Sequence, residues 1–474
     1  MSSITLSRAQ NLGATAPRGA GFGMGLVLLA QLMFVLDSAV VNVALPNMQS
    51  DLGFSTAGLS WVLNAYMLAF GGLLLLGGRL GDVFGRLTTF WWGLAVFTVF
   101  SLVGGLAQSP DMLVISRALQ GVGAAIASPS VLALLTTNAK DEHARHRALA
   151  MFATVASSGV AIGLILGGVL TDALSWRWTM FINVPIGLVV LTFVRRLVAD
   201  TPRRDDRFDV VGAITATGGA AAIVWAVTEA PDYGWGSARV LAGFVVGALL
   251  LAALAVTETR VSHPLLRPAL LRNRRRVAVL VGSAAYFGVI MGTFFILVQF
   301  FRDQLGYGPL TSGLAFLPMP VTIFLLSRVI PRLVARFGRL PFLLGSPVVA
   351  VVSLLLLTQL DGASPYFWAI VVPLELLGLA NGVLFMPMMS IALEDVPHEH
   401  AGSASGLLQT MQQLGGSIGL AIVASAFSSH AAHGGIAAGL APGFRMAAVL
   451  ALITLVSTLT LAVRRSPALA PSLD

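Results

Sequence analysis

Apolar stretches of about twenty residues recur along this chain of 474 residues, parted by short segments that hold nearly all of its charge. A helix of ~20 residues, rising ~1.5 Å per residue, crosses the hydrocarbon core of a bilayer. Inside that core the backbone has to satisfy its own hydrogen bonds, which a helix does within one segment. The pattern therefore predicts an all-α polytopic membrane protein with 14 transmembrane helices. The spans fall at roughly 24–45, 57–77, 88–107, 111–136, 147–170, 178–197, 210–229, 239–258, 277–300, 310–330, 341–359, 366–390, 402–427 and 443–463. Only 11% of the residues are charged, against about 25% in a soluble domain, and no stretch between spans is long enough to form one.

The N-terminal apolar run follows Arg8 and Arg18, as a signal peptide would. It carries Asp37 and Asn42 and continues to Pro46, so it reads as an uncleaved first span. Of the 29 Lys and Arg, only Arg177, Arg239, Arg302 and Arg445 fall on one side of the span scheme, and Arg117 falls inside a span. All the others fall on the opposite side, including Arg8, Arg18, Arg79, Arg86, Lys140, Arg204, Arg207, Arg267, Arg274, Arg339, Arg464 and Arg465. By the positive-inside rule that side is cytoplasmic, with both termini, and the chain is a multi-pass protein of the cytoplasmic (inner) membrane. The same distribution accounts for the net charge of +8 without a nucleic acid partner. The basic segments Arg203–Arg207 and Arg267–Arg276 read as topological anchors, with contact to anionic headgroups as the alternative.

Leu52-Gly53-Phe54-Ser55 recurs as Leu305-Gly306-Tyr307-Gly308, and Leu80…Gly85-Arg86 recurs at the same offset as Leu333…Gly338-Arg339. Both pairs flank the second span of a six-span block. The chain thus divides into a six-helix bundle (1–200), two extra helices with basic flanks (201–276) and a second six-helix bundle (277–474), the two bundles being pseudo-repeats. Repeated halves of this kind build a site at their interface near the bilayer midplane.

A charge at mid-membrane costs roughly 2.5–3.5 kcal/mol on insertion scales, so Asp37, Arg117 and Glu375 stand out. Asp37 is roughly 20 Å from the cytoplasmic end of its span and Arg117 roughly 10 Å from the opposite end of its own, which gives similar depths. The two are expected to meet or to share a water-filled cavity. A neighbouring guanidinium favours the charged carboxylate and desolvation favours the neutral acid, so protonation there can depend on conformation. A static ion pair is the alternative. Glu375 is roughly 14 Å deep, with Pro373 before it and Asn381 and Pro387 after it. It can bind a lipophilic cation or carry a proton, or be held protonated by a polar neighbour. There is no cysteine, and the seven histidines all fall in predicted loops or at their edges, so there is no thiolate metal site, no metal cluster and no mid-membrane histidine relay.

The loop Gly78-Arg79-Leu80-Gly81-Asp82-Val83-Phe84-Gly85-Arg86 resembles the G-x-L-x-D-x-x-G-R signature of the major facilitator superfamily. Leu36-Asp37-Ser38-Ala39-Val40-Val41-Asn42-Val43-Ala44-Leu45-Pro46 is similar to the first-span motif of its fourteen-helix drug:proton antiporter branch. Arg117-Ala118-Leu119-Gln120-Gly121-Val122-Gly123 resembles the superfamily's fourth-span motif, and Trp176-Arg177-Trp178…Phe181-Ile182-Asn183-Val184-Pro185 resembles the branch's entry to span 6. Two departures stand beside these matches. Ala335 replaces the acidic residue in the repeated copy of the loop, and Leu164 replaces the proline of the fifth-span motif that otherwise keeps Gly159, Gly163, Gly167 and Gly168.

The resemblance implies export of small amphipathic, cationic drugs by alternating access, with the proton gradient as energy source, no cofactor, no enzymatic activity and a monomeric protein. With no membrane histidine, the proton carrier has to be a carboxylate. Glu229 and Glu258 are near span ends, which leaves Asp37 and Glu375, with Arg117 tuning Asp37. Gly78, Asp82, Gly85 and Arg86 are expected to form a cytoplasmic gate, in which Asp82 pairs with arginine or caps a helix N-terminus. The expected substrate cavity comprises Asn42, Trp61, Asn64, Tyr66, Gln120, Phe294, Phe295, Gln299, Glu375, Asn381, Gln409 and Gln413, for any one of which ordinary helix packing is the alternative. An exporter of a lipid or natural product with little proton coupling is a second reading, and a sensor or scaffold without transport a third.

Overall fold

A computed structural model describes residues 20–139, 141–201, 203, 209–260, 272–361, 365–396 and 401–462. Among them every regular element is helical: α1 (Ala20–Leu52), α2 (Trp61–Phe84), α3 (Arg86–Gly105), α4 (Pro110–Thr137), α5 (Glu142–Ala173), α6 (Trp178–Phe181), α7 (Asn183–Leu197), α8 (Val210–Tyr233), α9 (Ala238–Arg260), α10 (Arg274–Asp303), α11 (Pro309–Ala315), α12 (Pro318–Phe337), α13 (Leu340–Leu357), α14 (Val372–Ala392) and α15 (Ala401–Ala462). A π-helical turn, Phe367–Val371, leads into α14. Arg8, Arg18, Lys140, Arg204, Arg207, Arg267, Arg464 and Arg465, with His263, His398 and His400, are outside the described residues.

Among the described residues, thirteen helical stretches are long and apolar enough to cross a membrane. The last of them, Ala404–Leu461, runs for 58 residues, ~87 Å if it were straight. It is broken at Gly435, whose φ of 76° and ψ of 176° are not helical. The sequence predicts two spans here with a loop between them, and the structure carries helix up to that glycine from both sides. His430 and His433, expected in a loop, therefore stand in helix, and His143 and His146 stand in the first turns of α5; all four are exposed. The helices overrun the predicted spans elsewhere too, most clearly at both ends of α1. Hydropathy marks only the apolar part of a helix, whereas its hydrogen bonding continues into the polar interface.

One group of helices forms as α2 and α3 pack on α4, α1 packs on α5, and α7 packs on α1 and α3. A second forms as α10 packs on α15, α14 on α12 and α13, and α13 on α15. The extra pair, α8 and α9, packs on itself, and α8 also touches α2 and α15. The two groups meet where α2 lies along α15, α5 touches α11 and α12, and α1 touches α10. Outward-facing side chains such as Trp92, Ile214 and Leu249 are exposed, as lipid contact requires.

Glycines at four-residue spacing share one face of a helix. On α5 that face is Gly159, Gly163 and Gly167, set against Val35, Ala39 and Val40 of α1. A Cβ on Gly168 would come within 2.7 Å of the Leu310 backbone, and one on Gly313 would strike the Leu164 carbonyl oxygen. The proline absent at Leu164 leaves no interruption in α5, and the close glycine contact is retained. The two groups of helices are thus shut against each other at the end that holds Asp51 and α11. Toward the other end of α5, Ala150, Met151, Ala153, Thr154 and Ala156 are exposed.

Candidate functional site

Asp37 and Arg117 are each 1% exposed and form an ion pair, with Arg117 Nη1 donating to Asp37 Oδ2 at 2.6 Å. Burying two charges in a low-dielectric interior is stable only when their remaining hydrogen-bonding capacity is satisfied. Arg117 spends its Nε–H on the Val62 carbonyl at 3.1 Å and a further Nη1 bond on Gln120 Oε1 at 3.0 Å. Its guanidinium carbon stands 4.5 Å from the centre of the Tyr66 ring, a cation–π contact. Gln120 Nε2 donates to Ser101 Oγ at 2.6 Å and is 3.5 Å from Asp37 Oδ1. The remaining donor to Oδ1 is Asn183 Nδ2 at 2.8 Å.

Local sequence sets these positions. Ser109 caps α4, with Pro110 at its start and Asp111 in its first turn, which fixes where the helix begins. Arg117 and Gln120, three residues apart, then share one face. Gly121, on the same helix, lets α4 close on the Tyr66 backbone. Asn183 opens α7 directly after α6. The segment before it is clamped: Arg177 donates to the carbonyls of Gly105 and Ala107 and pairs with Asp51 at 3.0 Å, while Trp176 Nε1 donates to Asp51 at 2.9 Å. One stretch, Trp176–Asn183, thus holds α1 both at its end and at Asp37.

The other predicted residues are distributed more widely. Tyr66 and Gln120 belong to the ion-pair network. Asn64 is fully buried, and its Oδ1 accepts from Ser417 on α15, which joins the two groups of helices. Asn42 is buried, with Nδ2 donating to the Ser38 carbonyl. Phe294 and Phe295 are buried against Phe316 and Phe427, in packing positions. Gln299 is 1% exposed and neither of its amide atoms has a partner, an unusual state for a buried amide. Trp61, Asn381 and Gln413 are half-buried and Gln409 is exposed. Glu375 is half-buried on α14, where Oε2 accepts from Thr322 on α12, a helix pair that contributes nothing to the Asp37 network.

At the signature loop, Asp82 pairs with Arg86 at 2.5 Å, one of the two expected roles. The cap of α3 is made instead by Asp200, which accepts from the Leu87 N–H at 2.8 Å and the Thr88 hydroxyl at 3.2 Å. Gly85 has φ +95°, and a Cβ there would stand 2.5 Å from the Asp200 carboxylate, so both backbone and space demand glycine. Gly78 faces Pro129 with room to spare. Ser101, Asn183 and Asp200 are the residues that sequence reasoning did not select. Asn183 sits in the motif at the entry to span 6, and its position as a lone amide in that span is the available signal.

A sequence model of the Major Facilitator Superfamily matches residues 27–420. The chain is 40% identical to the puromycin resistance protein pur8 of Streptomyces alboniger over 407 residues, 85% of this chain and 80% of that one. It is 37% identical to the cephamycin export protein CmcT of Amycolatopsis lactamdurans, covering 84% and 83% of the two chains. Among solved structures, an auto-inhibited peptide transporter of the POT family superposes with a TM-score of 0.71 at 17% identity, covering 97% of this chain and 99% of that one.

Proposed function

The chain belongs to the Major Facilitator Superfamily, and we propose that within it the protein is a proton-coupled exporter of small amphipathic drugs, of the fourteen-helix drug:proton antiporter branch. The observation that carries the reading is the buried Asp37–Arg117 pair. The names of the relatives, resistance to puromycin and export of cephamycin, supply the substrate class. The break at Gly435 supports counting α15 as two crossings, fourteen in all, with 1–200 and 277–474 as the two moving halves around 201–276. The positive-inside pattern supports a cytoplasmic place for both termini and the Arg86 end, and on that reading the conformation described is shut on the outside.

Asp37 is then sealed from water in this state and takes up a proton only in another. Protonation removes the anion that Arg117 faces and leaves a buried cation without its partner, which costs free energy and favours a rearranged conformation. That difference is what couples the proton to the movement of the halves. Glu375, bonded to Thr322 in the second half, serves as a second carboxylate, for the proton or for a cationic substrate. Asp82 and Arg86, paired next to the start of α3 that Asp200 caps, act at the cytoplasmic gate. The proton gradient is the energy source and no cofactor takes part.

Expression in an efflux-deficient host is expected to raise the puromycin concentration tolerated several-fold, and a protonophore to abolish the gain in accumulation assays. Protection that persists under the protonophore would remove the coupling. The lack of any protection, against puromycin and other amphipathic drugs alike, would remove the substrate class.

A further inference from the structure

The groups around Asp37 are almost all hydrogen-bond donors, which suits a carboxylate and leaves its conjugate acid badly placed. Arginine has no acceptor at all. Gln120 Oε1 already accepts from Arg117, and Gln120 Nε2 is a donor. A protonated Asp37 carries an O–H that needs an acceptor inside a buried site, where an unmade hydrogen bond is costly. Asn183 is 1% exposed, its Nδ2 donates to Asp37 Oδ1 at 2.8 Å, and its own Oδ1 is buried with no hydrogen-bond partner.

We propose that Asn183 is the positioning residue that lets Asp37 exist in both protonation states: its amide donates to the carboxylate and, turned over about its terminal bond, accepts from the acid. In the conformation that opens Asp37 to water, a hydronium ion gives up one O–H proton, which bonds to Asp37 Oδ1 and leaves a neutral water; no other covalent bond changes. The turn exchanges Nδ2 for Oδ1 on the same carbon, so the side chain keeps its volume and place. The proposal rests on the reading that Asp37 takes up the proton.

The ionisable surroundings of Asp37 are few. Tyr66 comes from α2 and Arg117 from α4. From α3 comes only the Ser101 hydroxyl, bonded to Gln120, and α5 presents glycines. α6 and α11 hold no ionisable residue, those of α7, Arg195 and Arg196, are in its last turn, and those of α10 are at its ends except Tyr286, whose hydroxyl is directed to the Leu377 carbonyl at 3.5 Å.

The test is an infrared pH titration of the full-length protein in lipid vesicles, with Asp37→Asn as the reference that removes the Asp37 carboxyl band. Two variants of nearly unchanged size are compared with the wild type. Asn183→Leu neither donates nor accepts. Since a bond to the charged form is stronger than one to the neutral form, its loss is expected to move proton uptake to higher pH, by up to about tenfold in proton concentration. Asn183→Asp is an acceptor only, places a second carboxylate beside the first, and is expected to move uptake further in the same direction. The order wild type, Leu, Asp is the predicted result. An Asp37 band that titrates identically in all three overturns the role of Asn183 and leaves the exporter reading standing. The absence of any titrating Asp37 band in the wild type overturns both. Asn183→Asp differs from the wild type by one atom, so it keeps the experiment decisive if Asn183→Leu does not fold.

Discussion

Arg117→Met is expected to lower the stability of the protein by about 3–5 kcal/mol, the cost of leaving one member of a buried ion pair uncompensated. The Asp37 carboxylate would be left fully buried with only Asn183 and the distant Gln120 amide as donors. The Val62 carbonyl and Gln120 Oε1 would lose their donor, and Tyr66 would lose the cation against its ring. Thermal unfolding in detergent measures the loss. The double variant Asp37→Asn/Arg117→Met removes both charges and is expected to recover most of it, because a neutral pair carries no desolvation penalty to be offset. A double variant as unstable as the sum of the two singles would show that the charges do not depend on each other.

Gly313→Val should have the largest effect on conformation. Any Cβ at Gly313 strikes the Leu164 backbone carbonyl, and backbone does not give way as a flexible side chain does. α5 and α11 are then forced apart where the two groups of helices close at the Asp51 end. If that end faces outward, the closed state is selectively destabilised, and the population shifts toward one open to the outside. The chain has no cysteine, so Asn42→Cys, next in sequence to Val43, whose side chain is 3.8 Å from a Cβ placed on Gly313, reports opening without background. Labelling by an impermeant thiol reagent from outside is expected to be several-fold faster in the Gly313→Val background, and puromycin export is expected to fall. Equal labelling rates would mean that the α5–α11 contact is not part of the gate.

The sequence reveals most about the charges, because their cost in hydrocarbon is large and their depth can be counted along a helix. On that ground Asp37 and Arg117 are expected to meet or to share a water-filled cavity, and in the structure they are bonded. Asn183 was not selected because a neutral amide is cheap to place in a span, and its value depends on a carboxylate distant in sequence. Nothing in the sequence distinguishes Asp200 from other loop acids; only the fold brings it to the start of α3. Phe294 and Phe295 fit a cavity wall and a packed interior equally well by composition; in the conformation described they are buried against Phe316 and Phe427. The run from Ala401 to Ala462 shows the limit of hydropathy: polar residues such as His430 and Gln413 do not end a helix, and the single glycine that does carries no apolar signal. The glycine face of α5 that packs on α1 is legible from its four-residue spacing, whereas the contact of α5 with α11, through Gly168 and Leu164, needs the arrangement of the helices.

The central claim is that Asp37 carries the proton that drives export. Its most direct test uses proteoliposomes with a trapped pH-sensitive dye, to which puromycin is added on one side. The wild type is expected to move protons against the drug, and Asp37→Asn, which preserves shape and cannot ionise, to show no drug-dependent pH change. A pH response in Asp37→Asn equal to that of the wild type would contradict the account.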